Sequence, residues 1–109
     1  MAMDIPTLRK LVAIDENDPL SRFALGKKLF ELQPTPNALH EAAEHLRFAH
    51  ARAPEHLATY HILGQALIQL GEKDEARRVL EEGCRRAITV GEGMGRDLAP
   101  AMEKLLTTL

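Results

Sequence analysis

The feature that most constrains this chain is an internal repeat. Leu8-Arg9-Lys10-Leu11-Val12-Ala13 aligns with Leu46-Arg47-Phe48-Ala49-His50-Ala51, and Phe23-Ala24-Leu25-Gly26 aligns with His61-Ile62-Leu63-Gly64, at an offset of 38 residues. Further along, Ala42 matches Ala76 and Leu46 matches Leu80 at an offset of 34. The difference falls on Gln33-Pro34-Thr35-Pro36-Asn37, a loop by composition. The period is therefore 34 residues with one enlarged turn. Periods of this size mark stacked supersecondary units, each of which needs a neighbour to bury its apolar face.

The clearer copy runs from Tyr60 to Ala87. It reads Tyr60-His61-Ile62-Leu63-Gly64-Gln65-Ala66-Leu67, then Leu70-Gly71, then Glu75-Ala76-Arg77-Arg78-Val79-Leu80. An aromatic, Leu-Gly, a large apolar residue and Ala-x3-Leu at these spacings resemble the tetratricopeptide repeat. The resemblance covers about residues 4 to 90 and implies an all-α solenoid of antiparallel helix pairs. The first copy departs from the pattern at the aromatic position, which is Arg22 with Phe23 beside it. In the second copy Gly83 stands where the family usually has alanine, and Ile88 where it has proline.

Helical periodicity gives the same division. Residues 6–15 place Leu8, Leu11, Val12 and Ile14 along one side of a leading helix. Asp18-Pro19 predicts the start of a helix reaching about Leu32, with Leu25, Leu29 and Leu32 on one stripe. Pro34 and Pro36 end it. A third helix from about Ala38 to Arg52 carries Leu39, Ala42, Ala43, Leu46 and Ala49. A fourth runs from about His56 to Leu70 and stops at Gly71, and a fifth from about Lys73 to Val90 carries Glu81/Arg85 and Glu82/Arg86 on its outer side. The repeat then fails, because Leu98 stands where the next glycine belongs. Gly91–Gly95 reads as a flexible connection, Asp97 as the cap of a last helix with Pro100 in its first turn, and Leu98, Met102, Leu105 and Leu109 as that helix's apolar face. The expectation is one domain over 1–109: leading helix 6–15, repeat one 19–53, repeat two 57–90 and a capping helix 97–108 that covers the exposed side of the final pair.

Composition narrows the function classes. The chain has 109 residues, 45% hydrophobic and 28% charged, a length for one core rather than two. Its net charge is -2, from 14 basic and 16 acidic residues, so no basic excess is available to neutralise nucleic-acid phosphates. One cysteine excludes an intrachain disulfide and fits a reducing compartment. Met1-Ala2-Met3-Asp4-Ile5-Pro6 has neither the basic region nor the apolar run of a signal peptide, and no run reaches membrane-spanning length. A cytoplasmic protein is expected, bound neither to nucleic acid nor to membrane.

Residue patterns that could carry chemistry favour plain structural roles. His40, His45, His50, His56 and His61 are spaced by five, five, six and five, and no two share a helix face at the spacing a metal-binding pair needs. They read as exposed helix histidines. Cys84 has basic neighbours in Arg85 and Arg86 but no base-and-orienter arrangement, and reads as a core residue. Glu41/Glu44 and Glu72/Asp74/Glu75 lie near helix starts, where the dipole favours acids. No catalytic, cofactor-binding or metal-binding residues are expected, and no cofactor. Gly26 and Gly64 read as points of close helix approach opposite Ala42 and Ala76, with Leu25, Leu63, Leu46 and Leu80 packed around them.

What the resemblance implies about binding is a concave groove lined by the first helix of each repeat. Its positions are Leu20, Phe23, Lys27, Phe30 and Glu31 in the first repeat, and Ala58, His61, Gln65, Ile68 and Gln69 in the second. Phe23, Phe30 and Ile68 then form an apolar strip, either open to a partner peptide or helix, or packed internally. One subset of the family clamps a C-terminal carboxylate with groove Lys and Asn. Here Asn17 and Asn37 fall in turns and Lys27 is the sole groove lysine, which argues against that use. The expected function is a non-catalytic interaction module, an adaptor or assembly factor. The alternative is a structural homodimer formed through the Phe23/Phe30 strip or the terminal helix. A small-ligand protein or enzyme is the third reading, and it requires convergent polar groups in a pocket.

Overall fold

Each helix begins where the local sequence supplies a cap or a turn. The computed structural model describes residues 3–109, so the N-terminal reading at Met1 and Ala2 lies outside the described residues. Among the described residues there are six helices: α1 Ile5–Ile14, α2 Pro19–Leu32, α3 Ala38–Arg52, α4 Leu57–Leu70, α5 Lys73–Val90 and α6 Met94–Leu106. The fold is an all-α helical repeat. At the head of α1 the Asp4 carboxylate accepts from the Thr7 N–H at 2.9 Å, and hydrogen bonding from the Thr7 side chain, then from its backbone, holds the Asp4 pKa below the usual value. Asp18 does the same for α2, accepting from the Leu20 N–H at 3.2 Å and from the Ser21 hydroxyl at 2.6 Å. His56 precedes α4, with its Nδ1 2.8 Å from the Thr59 hydroxyl.

The helices fall into two compact units, Met1–Ala53 and Pro54–Leu109. In the first, α2 packs chiefly on α3 and also on α1. Leu8, Leu25, Leu29, Ala38 and Ala42 form a buried cluster, with Ile5, Leu11, Val12, Ala24 and Phe30 packed against it. Arg9 on α1 reaches Glu41 on α3 through both guanidinium ends, one at 3.0 Å, and this pairing holds the Glu41 pKa down. Arg22 takes the place of the repeat's aromatic. Its guanidinium stacks 4.4 Å from the Phe48 ring centroid, and its Nε donates to the Glu16 carbonyl at 3.0 Å.

In the second unit α5 packs on both α4 and α6, and α6 also touches α4. Tyr60, Leu63, Ala66, Leu67, Ala76, Leu80, Ala87 and Met102 are closed to solvent. The same close contact recurs in both units. A Cβ on Gly26 would stand 2.9 Å from Leu46 Cγ, and one on Gly64 would stand 2.7 Å from Leu80 Cγ. The 34-residue match of Leu46 with Leu80 is thus a match of one packing contact. Gly83, a departure from the family pattern, has its own cause: a Cβ there would lie 2.6 Å from Met102 Sδ and 2.7 Å from Tyr60 Cβ. Tyr60 and the last helix both press onto that backbone, leaving no room for alanine.

Several expected details change. Helix α6 starts at Met94, not at Asp97, and ends at Leu106. Its cap position is Gly93 at φ 54, a conformation glycine adopts without a Cβ penalty, and the connection shortens to Gly91–Gly93. Asp97 becomes a first-turn acid rather than the cap, and Pro100 lies inside the helix, past the first turn where a proline costs nothing. Ile14 and Leu32, read as apolar-face residues, are 80% and 62% exposed. Each is the last residue of its helix, left in solvent beyond the buried stripe. Helix α1 spans 5–14 instead of 6–15, and α4 begins at Leu57 with His56 as its cap. The close of α4 follows expectation, since Gly71 at φ 81 donates to the Ile68 carbonyl and Glu72 to that of Leu67, a Schellman arrangement.

Candidate functional site

The first unit holds a cleft of about 240 Å³ between α1 and α2. Leu8 from α1 and Ala24 from α2 form its floor, and Phe23 lies along it half-buried. Met3 stands at one side, while Lys27, Lys28 and Glu31 line the rest. The arrangement follows from helical spacing. Phe23, Lys27 and Glu31 recur one turn apart on α2, while Leu25 and Leu29 turn inward. Neither Lys27 nor Lys28 has an ion-pair partner among the described residues. The cleft therefore offers an apolar floor beside two available cations.

The first-repeat residues expected to form a groove do not act alike. Phe23 and Lys27 come together in this cleft. Leu20 is 57% exposed and is not among its lining residues. Phe30 is half-buried and packs against the Leu8–Leu29 cluster. Lys28 lines the cleft as well, where the helix pattern predicts Lys27 alone. Its presence follows from α1 lying over α2, a packing that a one-helix pattern does not display.

In the second unit, His61 and Gln65 satisfy each other. Gln65 Nε2 donates to His61 Nε2 at 3.1 Å, which requires the neutral ring. Burial pushes the His61 pKa below its ordinary 6.5. Ile68 is half-buried and Gln69 exposed. A pH dependence follows. The unfolded chain binds the His61 proton more readily, so stability is higher above about pH 6.5 and falls as pH drops from there toward the lowered folded value. Urea denaturation at neutral and mildly acidic pH is expected to show a smaller acid loss in His61→Gln than in the wild type. Equal losses would contradict this assignment.

The histidines are less exposed than their spacing suggested. His40 is exposed, but His45, His50, His56 and His61 are all half-buried. His45 lies between two charged neighbours: Arg22 Nη1 approaches its Nδ1 at 3.3 Å, and its Nε2 is 3.2 Å from Glu41. Arg22 comes from another helix, so this pairing is invisible in the spacing. Among the described residues, no three His, Cys, Asp or Glu side chains converge as a metal site. Cys84 is buried, and that burial raises its thiol pKa.

A second cleft, of about 440 Å³, lies within the second unit. Glu55 from the turn before α4 and Leu57 from its start contribute, with Glu82, Arg85, Arg86, Thr89 and Val90 from α5. Helical spacing alone marks Glu82/Arg86 and Glu81/Arg85 as surface pairs. Glu82 does pair with Arg86 Nε at 3.2 Å, but it also lies 3.3 Å from the Tyr60 hydroxyl, which donates to the Pro54 carbonyl at 2.6 Å. Burial and the Glu82 charge push the Tyr60 pKa up to about 12.

Comparison with known proteins agrees with this architecture. Residues 37–84 match the family model described as tetratricopeptide repeat. Among solved structures the chain is similar to MamA, known from the crystal structure of MamA, with a TM-score of 0.64 and 22% identity. The match covers 94% of this chain and 63% of that one, so this chain spans less than two thirds of the MamA length. At that identity the likeness is one of fold. No curated protein matches the chain. No helix of the described residues is long and apolar enough to cross a membrane.

Proposed function

Because the chain is a tetratricopeptide-repeat protein, we propose that it is an adaptor or assembly factor that acts without catalysis, by holding a segment of another protein. The observation that carries this reading is the α1–α2 cleft, where half-buried Phe23 lies beside Lys27 and Lys28. An apolar floor flanked by free cations fits an amphipathic segment with an apolar anchor and acidic neighbours. Lys27 and Lys28 supply orientation and on-rate, and Phe23 supplies the desolvated contact. The scaffold residues Leu63, Gly64, Ala76 and Leu80 touch no partner in this reading. A reducing, cytoplasmic setting suits a chain with a single cysteine.

The test is capture of partners from an extract of the protein's own cells by wild type and by Phe23→Ala/Lys27→Ala. Both side chains lie at the cleft surface, and circular dichroism should show the fold unchanged. A specific band present for the wild type and lost for the variant is the expected result. Equal capture by both proteins would overturn the assignment to this cleft. A mass that rises with concentration and stays unchanged in the variant would favour a dimer formed elsewhere.

A further inference from the structure

Helix α1 is the least anchored element of the first unit. It has ten residues, too few to hold a helix alone in water. Among the described residues its backbone lies against α2 only, and Leu8 is its one buried side chain. Ile5, Leu11 and Val12 add partial burial. The turn that follows, Asp15-Glu16-Asn17, is exposed and is tied to α2 rather than to α1. The Asp18 N–H donates to the Asp15 carbonyl at 3.2 Å, and Arg22 on α2 donates to the Glu16 carbonyl at 3.0 Å. The junction of Ile14 and Asp15 is therefore the free pivot. Beyond the Leu8 cluster, one polar tie joins α1 to α3: both guanidinium ends of Arg9 meet Glu41, one at 3.0 Å. The Arg9 hydrogen bonds hold the Glu41 pKa below its ordinary value, so the pair is charged at neutral pH. Glu41 also lies 3.2 Å from His45 Nε2, but His45 is on α3 itself, so only the Arg9 side links two helices. The Arg9 and Glu41 side chains are 50% and 31% exposed, which leaves the tie open to screening by salt.

From these observations we infer that α1 is a hinged gate on the α1–α2 cleft, latched to α3 by the Arg9–Glu41 pair. It swings out at Ile14–Asp15 and loses its helix, while α2 and α3 stay packed through Leu25, Leu29, Ala42 and Leu46. The cleft's size gives the gate a use. At about 240 Å³ the closed cleft falls below the roughly 300–1,000 Å³ of sites that enclose a ligand, and a helix with its side chains is about 10 Å across. Closed, the cleft admits one anchoring side chain and not the width of a segment. Movement of α1 makes room for the rest. The latch sets how often the cleft opens, and ionic strength tunes the latch. This use rests on the reading that a partner docks at the α1–α2 cleft, whereas the gate itself is measurable with no partner present.

The test is native-state hydrogen exchange of the full chain, read by NMR at several urea concentrations below the unfolding transition. Amides at 8–12 are expected to exchange at least about tenfold faster than those of Leu29 and Leu46, and with a shallower urea dependence, because opening α1 exposes little surface. Arg9→Gln, at an exposed position, is expected to speed exchange at 8–12 by about threefold and to remove its acceleration by sodium chloride. In a Glu41→Gln background the Arg9→Gln change should add nothing. Exchange of α1 together with α2 and α3, at one rate and one urea dependence, would overturn the gate. Exchange at 8–12 that is the same in Arg9→Gln as in the wild type would overturn the latch. Either failure leaves the capture comparison with Phe23→Ala/Lys27→Ala untouched, and a failed capture leaves the exchange result standing.

Discussion

Tyr60→Ala is expected to cost about 3–5 kcal/mol, the range for removing a buried aromatic. Tyr60 has no exposed surface, and its Cβ and ring abut the backbone at Gly83. The Arg86 guanidinium lies 6.0 Å from the ring centroid. Truncation opens a cavity at the junction of α4 and α5 and leaves the Pro54 carbonyl without its donor. Against an ordinary domain stability of about 5–15 kcal/mol, that is a large share. Tyr60→Phe separates the two contributions. It keeps the ring and loses only the hydroxyl, so it should cost about 1–2 kcal/mol. Urea denaturation followed by circular dichroism measures both. Equal losses for the two variants would show that the hydroxyl, and not the packed ring, holds this contact.

Gly64→Leu is expected to destabilise by about 1–3 kcal/mol through overpacking. Even the first added carbon would stand 2.7 Å from Leu80 Cγ, and Leu80 is wholly buried with nowhere to retreat. The usual gain of about 1 kcal/mol on replacing a helical glycine is therefore overridden. The contrast is Gly71, where an added Cβ meets nothing within 4 Å and only the φ of 81 resists substitution. Calorimetry on Gly64→Leu and Gly71→Ala distinguishes a steric cost from a backbone one. A Gly64→Leu melting temperature equal to the wild type would remove the close-approach account of the repeat.

The parts of the structure that could be read from sequence are those set by local chemistry. Asp18-Pro19 placed the start of α2, and Gly71 placed the end of α4, because caps act within a few residues. A close approach at Gly64 was legible because Gly26 repeats it, although Leu80 rather than the expected Ala76 stands nearest. The start of α6 was not legible. Asp97 carries a capping side chain, whereas Gly93 caps by backbone conformation and leaves no side-chain signal. Half-buried His45 was missed because its neighbour Arg22 comes from α2, 23 residues away. The same limit applies to the clefts. Phe23 and Lys27 share a helix face that the spacing displays, while Lys28 and Met3 line the cleft only because of where α1 lies. The second cleft joins Glu55 and Leu57 to residues of α5, and no periodicity links them.

If a partner segment docks between α1 and α2 as proposed, the repeat core serves only as scaffold. Hydrogen–deuterium exchange on the chain alone and in complex with its captured partner tests this most directly. The predicted result is added protection within Ile5–Ile14 and Pro19–Leu32, strongest around Phe23 and Lys27, with the α4 and α5 core unchanged. Protection confined to α4 and α5, or a bound partner that leaves α1 and α2 exchanging as in the free chain, would contradict it.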